Sequence, residues 1–223
     1  TGNRNVAVGH AALSTENEHG KNVAIGYLSL LTLDAGVDGF NVAVGYSAGL
    51  AMTTGTRNTL VGGAAGDALT TGVRNVAIGY AALSQEDANS YNVAIGDSAL
   101  TQLNAGADGY NVAVGYQAGT AMTTAIKNTL IGALSGDAIT EGGFNVAVGY
   151  DALSANTIGN SNVAIGETAL AANVAGDRNV AIGTQALTAM TSATTLDTYN
   201  TAIGYNAGLS VTTGTVNTII GGL

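Results

Sequence analysis

The five residues Asn75-Val76-Ala77-Ile78-Gly79 decide the fold, because the same pattern recurs thirteen times between Asn5 and Gly221. Nine of the twelve intervals between successive copies are 17 residues long, two are 19 and one is 21. A fixed short period with insertions confined to one point of the repeat is typical of a solenoid. The asparagines that open the copies are Asn5, Asn22, Asn41, Asn58, Asn75, Asn92, Asn111, Asn128, Asn145, Asn162, Asn179, Asn200 and Asn217.

Each five-residue copy has the pattern of a short β-strand. Its second residue is always Val or Thr and its fourth is always Val or Ile. Alternate residues of a strand point to opposite faces, so we predict that these β-branched side chains form the core face. The Asn, Ala and Gly positions then form a small, flat face that lets the opposite wall of a thin coil or a neighbouring chain approach closely. Larger apolar residues interrupt this small face at Leu60, Leu130 and Ile219.

The second half of each repeat carries another apolar position, eleven residues after the Asn. We predict a second inward-facing segment there, and therefore two or three short strands in each rung. Thirteen rungs stacked at ~4.8 Å make a rod of about 60 Å. The sequence thus predicts an all-β, parallel β-solenoid or β-roll of about 13 rungs of 17 residues. With no linker or shift in composition, we expect one domain over residues 1–223. The apolar residues are Leu33, Met52, Leu69, Leu103, Met122, Ile139, Met190 and Val211.

Cations and aromatic residues occupy two further columns of the repeat. All six basic residues stand directly before a repeat Asn, where they mostly alternate with aromatic residues, as in Lys21, Phe40 and Arg57. Stacked rungs then allow cation–π contacts of about 0.5–1 kcal/mol. The six other aromatic residues, directly after the repeat Gly, are Tyr27, Tyr46, Tyr80, Tyr116, Tyr150 and Tyr205. These tyrosines are a candidate contact surface for sugar rings, since each offers a flat apolar face and a hydroxyl. The column is interrupted, which favours the alternative that each ring packs over its own turn.

The composition excludes several classes of protein. No stretch approaches the ~20 apolar residues of a membrane-spanning helix, and the periodic hydrophobicity disfavours disorder. The absence of Cys excludes disulfides and cysteine-metal sites. A net charge of −9 argues against a nucleic-acid partner.

The repeated Asn-Val-Ala-Ile-Gly motif resembles the head repeat of trimeric autotransporter adhesins, and similar arrays occur in bacteriophage tail fibres. The resemblance covers essentially the whole chain, although the rung here is longer than the adhesin repeat. It implies a left-handed parallel β-roll, a homotrimer around the long axis, and attachment to a glycan or protein receptor on a host surface. It also implies an extracellular location, on a cell or a virion. Which strand face meets the trimer axis stays open.

The sequence offers little chemistry. His10 and His19 are the only histidines, and we expect both to be surface or turn residues. The loops 34–39 and 104–109 carry two carboxylates or fewer, whereas a calcium ion takes six to eight oxygen ligands. We therefore read these loops as ordinary Asx and Gly turns. We expect no enzyme activity, no cofactor and no bound metal.

These observations predict a structural or adhesive fibre segment that mediates or displays attachment to a cell surface. One alternative is an ice- or crystal-surface-binding β-solenoid, suggested by threonine pairs such as Thr53-Thr54 and Thr70-Thr71. Another is a polysaccharide-active β-solenoid of a phage tail fibre, which the missing carboxylate cluster opposes. Neither end of the sequence has a polar cap, so we expect further rungs, or end-to-end stacking of another subunit, beside it.

Overall fold

The computed structural model describes residues 3–17, 19–85, 87–106 and 108–222. The chain forms two compact units, one within residues 1–110 and the other within residues 111–223. The division falls directly before the repeat residue Asn111. The sequence ends at Thr1 and Leu223, and Ala107 of the second candidate calcium loop, lie outside the described residues.

Thirteen three-residue strands form the regular structure of the described residues. They are β1 Val6–Val8, β2 Val23–Ile25, β3 Val42–Val44, β4 Thr59–Val61, β5 Val76–Ile78, β6 Val93–Ile95, β7 Val112–Val114, β8 Thr129–Ile131, β9 Val146–Val148, β10 Val163–Ile165, β11 Val180–Ile182, β12 Thr201–Ile203 and β13 Thr218–Ile220. Within each unit, successive strands pair in parallel with equivalent residues opposite each other, as Val76 is to Val93. The predicted all-β parallel solenoid is confirmed. None of the described residues forms a helix long and apolar enough to cross a membrane.

Each strand lies between two backbone positions with positive φ. The residue before the repeat Asn has φ between 49° and 63° in every copy, a left-handed conformation that is unusual for side chains such as Arg74. The repeat Gly after the strand has φ between 126° and 147°, which glycine alone tolerates well. A Cβ atom on Gly79 would also lie only 2.3 Å from the carbonyl oxygen of Gly96 in the next rung. Glycine at this position therefore sets both the turn and the rung spacing.

The prediction that the Val and Ile positions form the core face is wrong. In β2 to β12 it is the middle residue that is buried, whereas the residues on either side are half-buried or exposed. Ala77 has no exposed surface, while Val76 and Ile78 point outward and are half-buried. The coil is narrow, and its interior is already occupied by buried leucines such as Leu83 from the following turn. Only a small side chain fits opposite them, so the Ala face lies inside.

Larger residues on this inner face are accommodated by glycine nearby. Leu60 and Leu130, the larger residues that interrupt the small face in the sequence, are fully buried. In their rungs the position taken by Leu83 elsewhere is Gly66 or Gly136. A Cβ atom on Gly66 would lie 2.9 Å from Cδ2 of Leu60, and one on Gly136 would lie 2.9 Å from Cδ2 of Leu130. Each of these leucines therefore fills the volume that the glycine leaves.

The second half of the rung is built from turns, and the predicted second and third strands are absent from the described residues. Positive φ values at Ala81 and Leu83 curl the chain there and prevent an extended segment. Hydrogen bonds between rungs nevertheless continue, since Leu83 N–H donates to Ala99 O at 3.0 Å. Seven of the eight apolar residues eleven positions after the Asn, such as Met52 and Leu103, are fully buried as expected, and the eighth, Val211, is half-buried.

Candidate functional site

The repeat asparagines form a buried hydrogen-bonded ladder. From Asn22 to Asn200 their side chains have no exposed surface. Within each unit, each Oδ1 accepts the backbone N–H of the repeat Asn in the following rung, at 2.9–3.2 Å. This bond satisfies an N–H group that the preceding left-handed residue turns away from the strand ladder. The predicted structural ladder residues, Asn5, Asn75, Asn145, Gly9, Gly79 and Gly149, occupy these stacked positions.

In most rungs the same side chain also closes the rung. Nδ2 of Asn58 donates to the Gly72 carbonyl at 2.8 Å, fourteen residues later in the same rung. Nδ2 of Asn145 makes the equivalent bond to Gly159 at 2.9 Å. The position therefore needs one acceptor and one donor on a short planar side chain, a combination that Asn provides and ionised Asp lacks.

The outward residues of the strands form an apolar face on each unit. In the first unit Val8 is 57% and Ile25 38% exposed, and in the second Ile131 is 41% exposed. The only polar residues at these outward positions are Thr59, Thr129, Thr201 and Thr218. We call this surface the Val/Ile face. It carries no charged side chain, and a contiguous apolar surface of this kind is a mark of an interaction site.

The six candidate contact tyrosines lie at the end of the Val/Ile face and are 46–64% exposed. Tyr27 stacks on Tyr46 at 5.3 Å between ring centroids, and His10 stacks on Tyr27 at 5.3 Å. The Tyr80 ring lies over Gly63 of the preceding rung, where an added Cβ would be 3.5 Å from Cδ2. The Tyr80 ring thus covers a neighbouring turn, whereas Tyr27 packs against other rings, and all six tyrosines leave much of their surface in solvent.

The column before the repeat Asn contains the predicted cation–π contacts. Lys21 Nζ lies 4.8 Å and Arg57 Cζ 6.0 Å from the Phe40 ring centroid. Arg74 both approaches the Tyr91 ring, at 5.4 Å, and donates to its hydroxyl at 2.6 Å. These contacts link successive rungs along the exposed edge of the coil.

The threonine pairs do not form a long array. Thr53 N–H donates to the Thr70 carbonyl at 2.9 Å, which places the two pairs on neighbouring rungs. In the next rung Asp87 takes the place of threonine, and its backbone oxygen accepts from Thr70 N–H at 2.6 Å. A lattice-matching surface needs a longer flat repeat, so this geometry does not favour the ice-binding alternative.

One cluster among the described residues has the composition of a metal site. Glu16, His19 and Asp34 each place a ligand atom within 4.8 Å of the other two. The other carboxylate of this loop, Asp38, pairs instead with Lys21, with Oδ2 2.6 Å from Nζ. Sequence reasoning gave His19 and Glu16 no role, although Glu16 stands eleven residues after Asn5 in an otherwise mostly apolar column. A carboxylate in a core column was the signal that could have revealed the cluster.

Comparison of the chain with protein-family models, curated proteins and solved structures found no match. The functional interpretation therefore rests on the Val/Ile face, the side-chain clusters and the motif itself.

Proposed function

We propose that this chain is a structural and adhesive segment of an extracellular fibre, in which three copies pack their Val/Ile faces around a common long axis. The observation that carries the proposal is the outward apolar face of each unit. Strands β1–β6 and β7–β13 each contribute two outward positions, and these are Val or Ile apart from four threonines. A single chain leaves this surface in water, and burying it costs no desolvated charge.

The burial pattern supports the Val/Ile face as the surface available for association. The Asn and Ala positions lie inside the coil, which argues against the alternative that the small face meets the trimer axis. Interface cores are depleted in charged residues and enriched in apolar and aromatic ones. The Val/Ile face and the adjoining tyrosines have this composition, and an identical face on every copy suits a cyclic assembly.

The number of copies and the role in attachment rest on the resemblance to adhesin heads and phage fibres. A trimeric rod with a mildly acidic surface, outside the cell or on a virion, would display or contact a glycan or protein receptor. End-to-end stacking of such rods fits the same reading. The proposed fibre role requires neither a catalytic group nor a cofactor.

A charge-swapped pair on the Val/Ile face tests the assembly. We expect the unmodified chain to sediment as a trimer at micromolar concentration and the double variant V76E/V93K to be monomeric with an unchanged far-UV circular dichroism spectrum. Val76 and Val93 are opposite each other on neighbouring strands, so opposite charges there can pair within one chain. Around a threefold axis, however, each charge faces copies of its own sign.

Two further variants serve as controls for this test. T54E introduces a charge at an exposed turn position outside the Val/Ile face, and we expect it to remain trimeric. A77E places a charge inside the coil and should unfold the chain. A monomeric unmodified chain, or a V76E/V93K variant that stays trimeric, would contradict the proposed assembly.

Attachment is tested separately, by binding of fluorescent trimer to host cells and to immobilised glycans. We expect the double variant Y80A/Y116A to lower the melting temperature while leaving binding per folded molecule unchanged, because these rings cover turns. Loss of binding without loss of stability would instead assign the tyrosines as the contact surface. If the trimer bound to none of these cells or glycans, the adhesive part of the proposal would be contradicted, while the proposed assembly would stand on its own test.

A further inference from the structure

The closing turn of the first rung differs from the equivalent turn in the third 70-residue block. Asn156 and Gly159 occupy the positions of Glu16 and His19, two 70-residue blocks further on. There Gly159 N–H donates to Asn156 Oδ1 at 2.8 Å, and Asn156 Nδ2 donates back to the Gly159 carbonyl at 3.0 Å. Asn173 makes the same two bonds in the next rung, at 3.1 and 2.9 Å. The asparagine thus satisfies both polar groups of the buried turn.

Glu16 reproduces only the accepting half of this arrangement. His19 N–H donates to Glu16 Oε1 at 3.1 Å, as Gly159 does to Asn156. The second oxygen, Oε2, is buried and has no hydrogen-bond partner among the described residues, and the whole residue is only 8% exposed. Nδ1 of His19 is likewise buried and finds no partner in the described part of the chain. A buried carboxylate oxygen without a donor is costly, unless a cation or proton compensates it.

A second carboxylate reaches the same place from the next rung. Asp34 is exposed, begins the longer loop after β2, and takes the position of Val174 in the later block. Its ligand atom and those of Glu16 and His19 lie within 4.8 Å of one another. Three differences from the later block therefore coincide in space, and all three replace a group that cannot bind a metal strongly with one that can.

We propose that Glu16, His19 and Asp34 bind one divalent transition-metal ion, with Zn²⁺ the preferred species. One imidazole nitrogen and two carboxylate oxygens form a ligand set that zinc accepts, whereas calcium takes oxygen ligands alone. Three protein ligands leave a coordination position for water, which the exposed side of Asp34 admits. The ion would join the closing turn of the first rung to the loop of the second and compensate the unpartnered Oε2.

The test is titration of the full chain with Zn²⁺ by isothermal calorimetry, together with its melting temperature. We expect one ion per chain and a higher melting temperature with Zn²⁺, but no heat from Ca²⁺. The variant E16N/H19G rebuilds the turn as the chain itself has it at Asn156 and Gly159. It should keep the circular dichroism spectrum and lose Zn²⁺ affinity by more than the roughly 10–100-fold that outer-shell changes cause.

Single substitutions keep the result interpretable. D34V copies the later block at the third ligand and should also weaken Zn²⁺ binding. D38S alters the same loop outside the cluster, and H10A removes the other histidine, so both should bind Zn²⁺ as the unmodified chain does. If E16N/H19G fails to fold, the Zn²⁺ affinities of D34V and D38S are compared instead, and the proposal requires the weaker binding to be that of D34V. The proposal would be overturned if the unmodified chain showed no binding at about 100 μM Zn²⁺, because its affinity would then be too low to hold an ion at ordinary concentrations. It would also be overturned if D34V bound Zn²⁺ as tightly as the unmodified chain.

Discussion

Replacing Asn58 by alanine measures what one member of the asparagine ladder contributes to stability. Its Oδ1 accepts Asn75 N–H at 2.9 Å, and its Nδ2 donates to the Gly72 carbonyl at 2.8 Å. Both backbone groups belong to buried residues. N58A leaves each of them without this partner, at about 1–3 kcal/mol per group. We therefore expect the free energy of unfolding to fall by about 2–6 kcal/mol.

Replacing the same residue by aspartate separates the donor from the acceptor. The introduced carboxyl of N58D keeps an oxygen for Asn75 N–H, but only its protonated form can donate to the Gly72 carbonyl. Burial and this hydrogen bond raise its folded-state pKa above the ~3.9 of the unfolded chain. The deficit of N58D is therefore smallest below the unfolded pKa and grows as the pH rises through the folded pKa. N58A should show no such dependence.

Urea unfolding followed by circular dichroism, at pH 7 and at about pH 4 near the unfolded-chain pKa, measures both effects. N104A is the matched control, because Asn104 is exposed, and it should change stability by less than about 0.5 kcal/mol. A cost for N58A no larger than that of N104A, or an N58D deficit that does not shrink in acid, would refute the reasoning that the ladder stabilises each rung through paired donors and acceptors.

Three further predictions concern packing and charge. G79A should prevent folding or greatly reduce the thermal transition, because its Cβ would meet a backbone oxygen at 2.3 Å, while G63A, with its nearest neighbour at 3.5 Å, should melt almost normally. L60A should cost about 2–5 kcal/mol in urea unfolding, and L60A/G66L should recover part of it, because other rungs hold leucine at this left-handed position. Burial raises the pKa of Asp67, whose Oδ1 has no hydrogen-bond partner among the residues that the structure describes. The folded protein therefore favours the protonated form of Asp67, and stability falls as the pH rises and this carboxyl ionises. D67N removes the ionisation, so it should raise the melting temperature at pH 7 but not below pH ~3.8.

The period, the strands and their parallel pairing could be predicted because backbone requirements repeat in every copy. The repeat Gly is the clearest example, since both its φ and the approach of the next rung exclude a side chain. The inside and outside of the strand could not be predicted in the same way. Alternation shows that Val76 and Ala77 face opposite directions, but hydrophobicity alone assigned the larger residue to the core. An informative signal was that Leu60 and Leu130, the large residues at the Ala77 position, stand in rungs that have Gly66 and Gly136 at the Leu83 position, as expected where two side chains share one interior.

The metal-type cluster escaped prediction for a different reason. Its residues are separated along the sequence and come from two rungs, so neither local spacing nor either loop taken alone brings them together. Their proximity depends on the stacking register, which places the turn after Glu16 beside the loop that begins at Asp34. Once the register is known, comparison with Asn156 shows which group of the turn has lost its partner. Repeat proteins offer this internal comparison at every position.

The inverted burial pattern connects the fold to the proposed assembly. A polar residue can occupy the interior of every rung only because Asn satisfies both a donor and an acceptor there, as Asn58 does. The small Ala beside it lets the coil close around a thin core of Leu and Met side chains. The β-branched residues that favour the strand are consequently directed outward, where contact with water gives them little hydrophobic stabilisation. A rung that is complete in its hydrogen bonds but incomplete in its hydrophobic burial stabilises one chain while favouring its association with others.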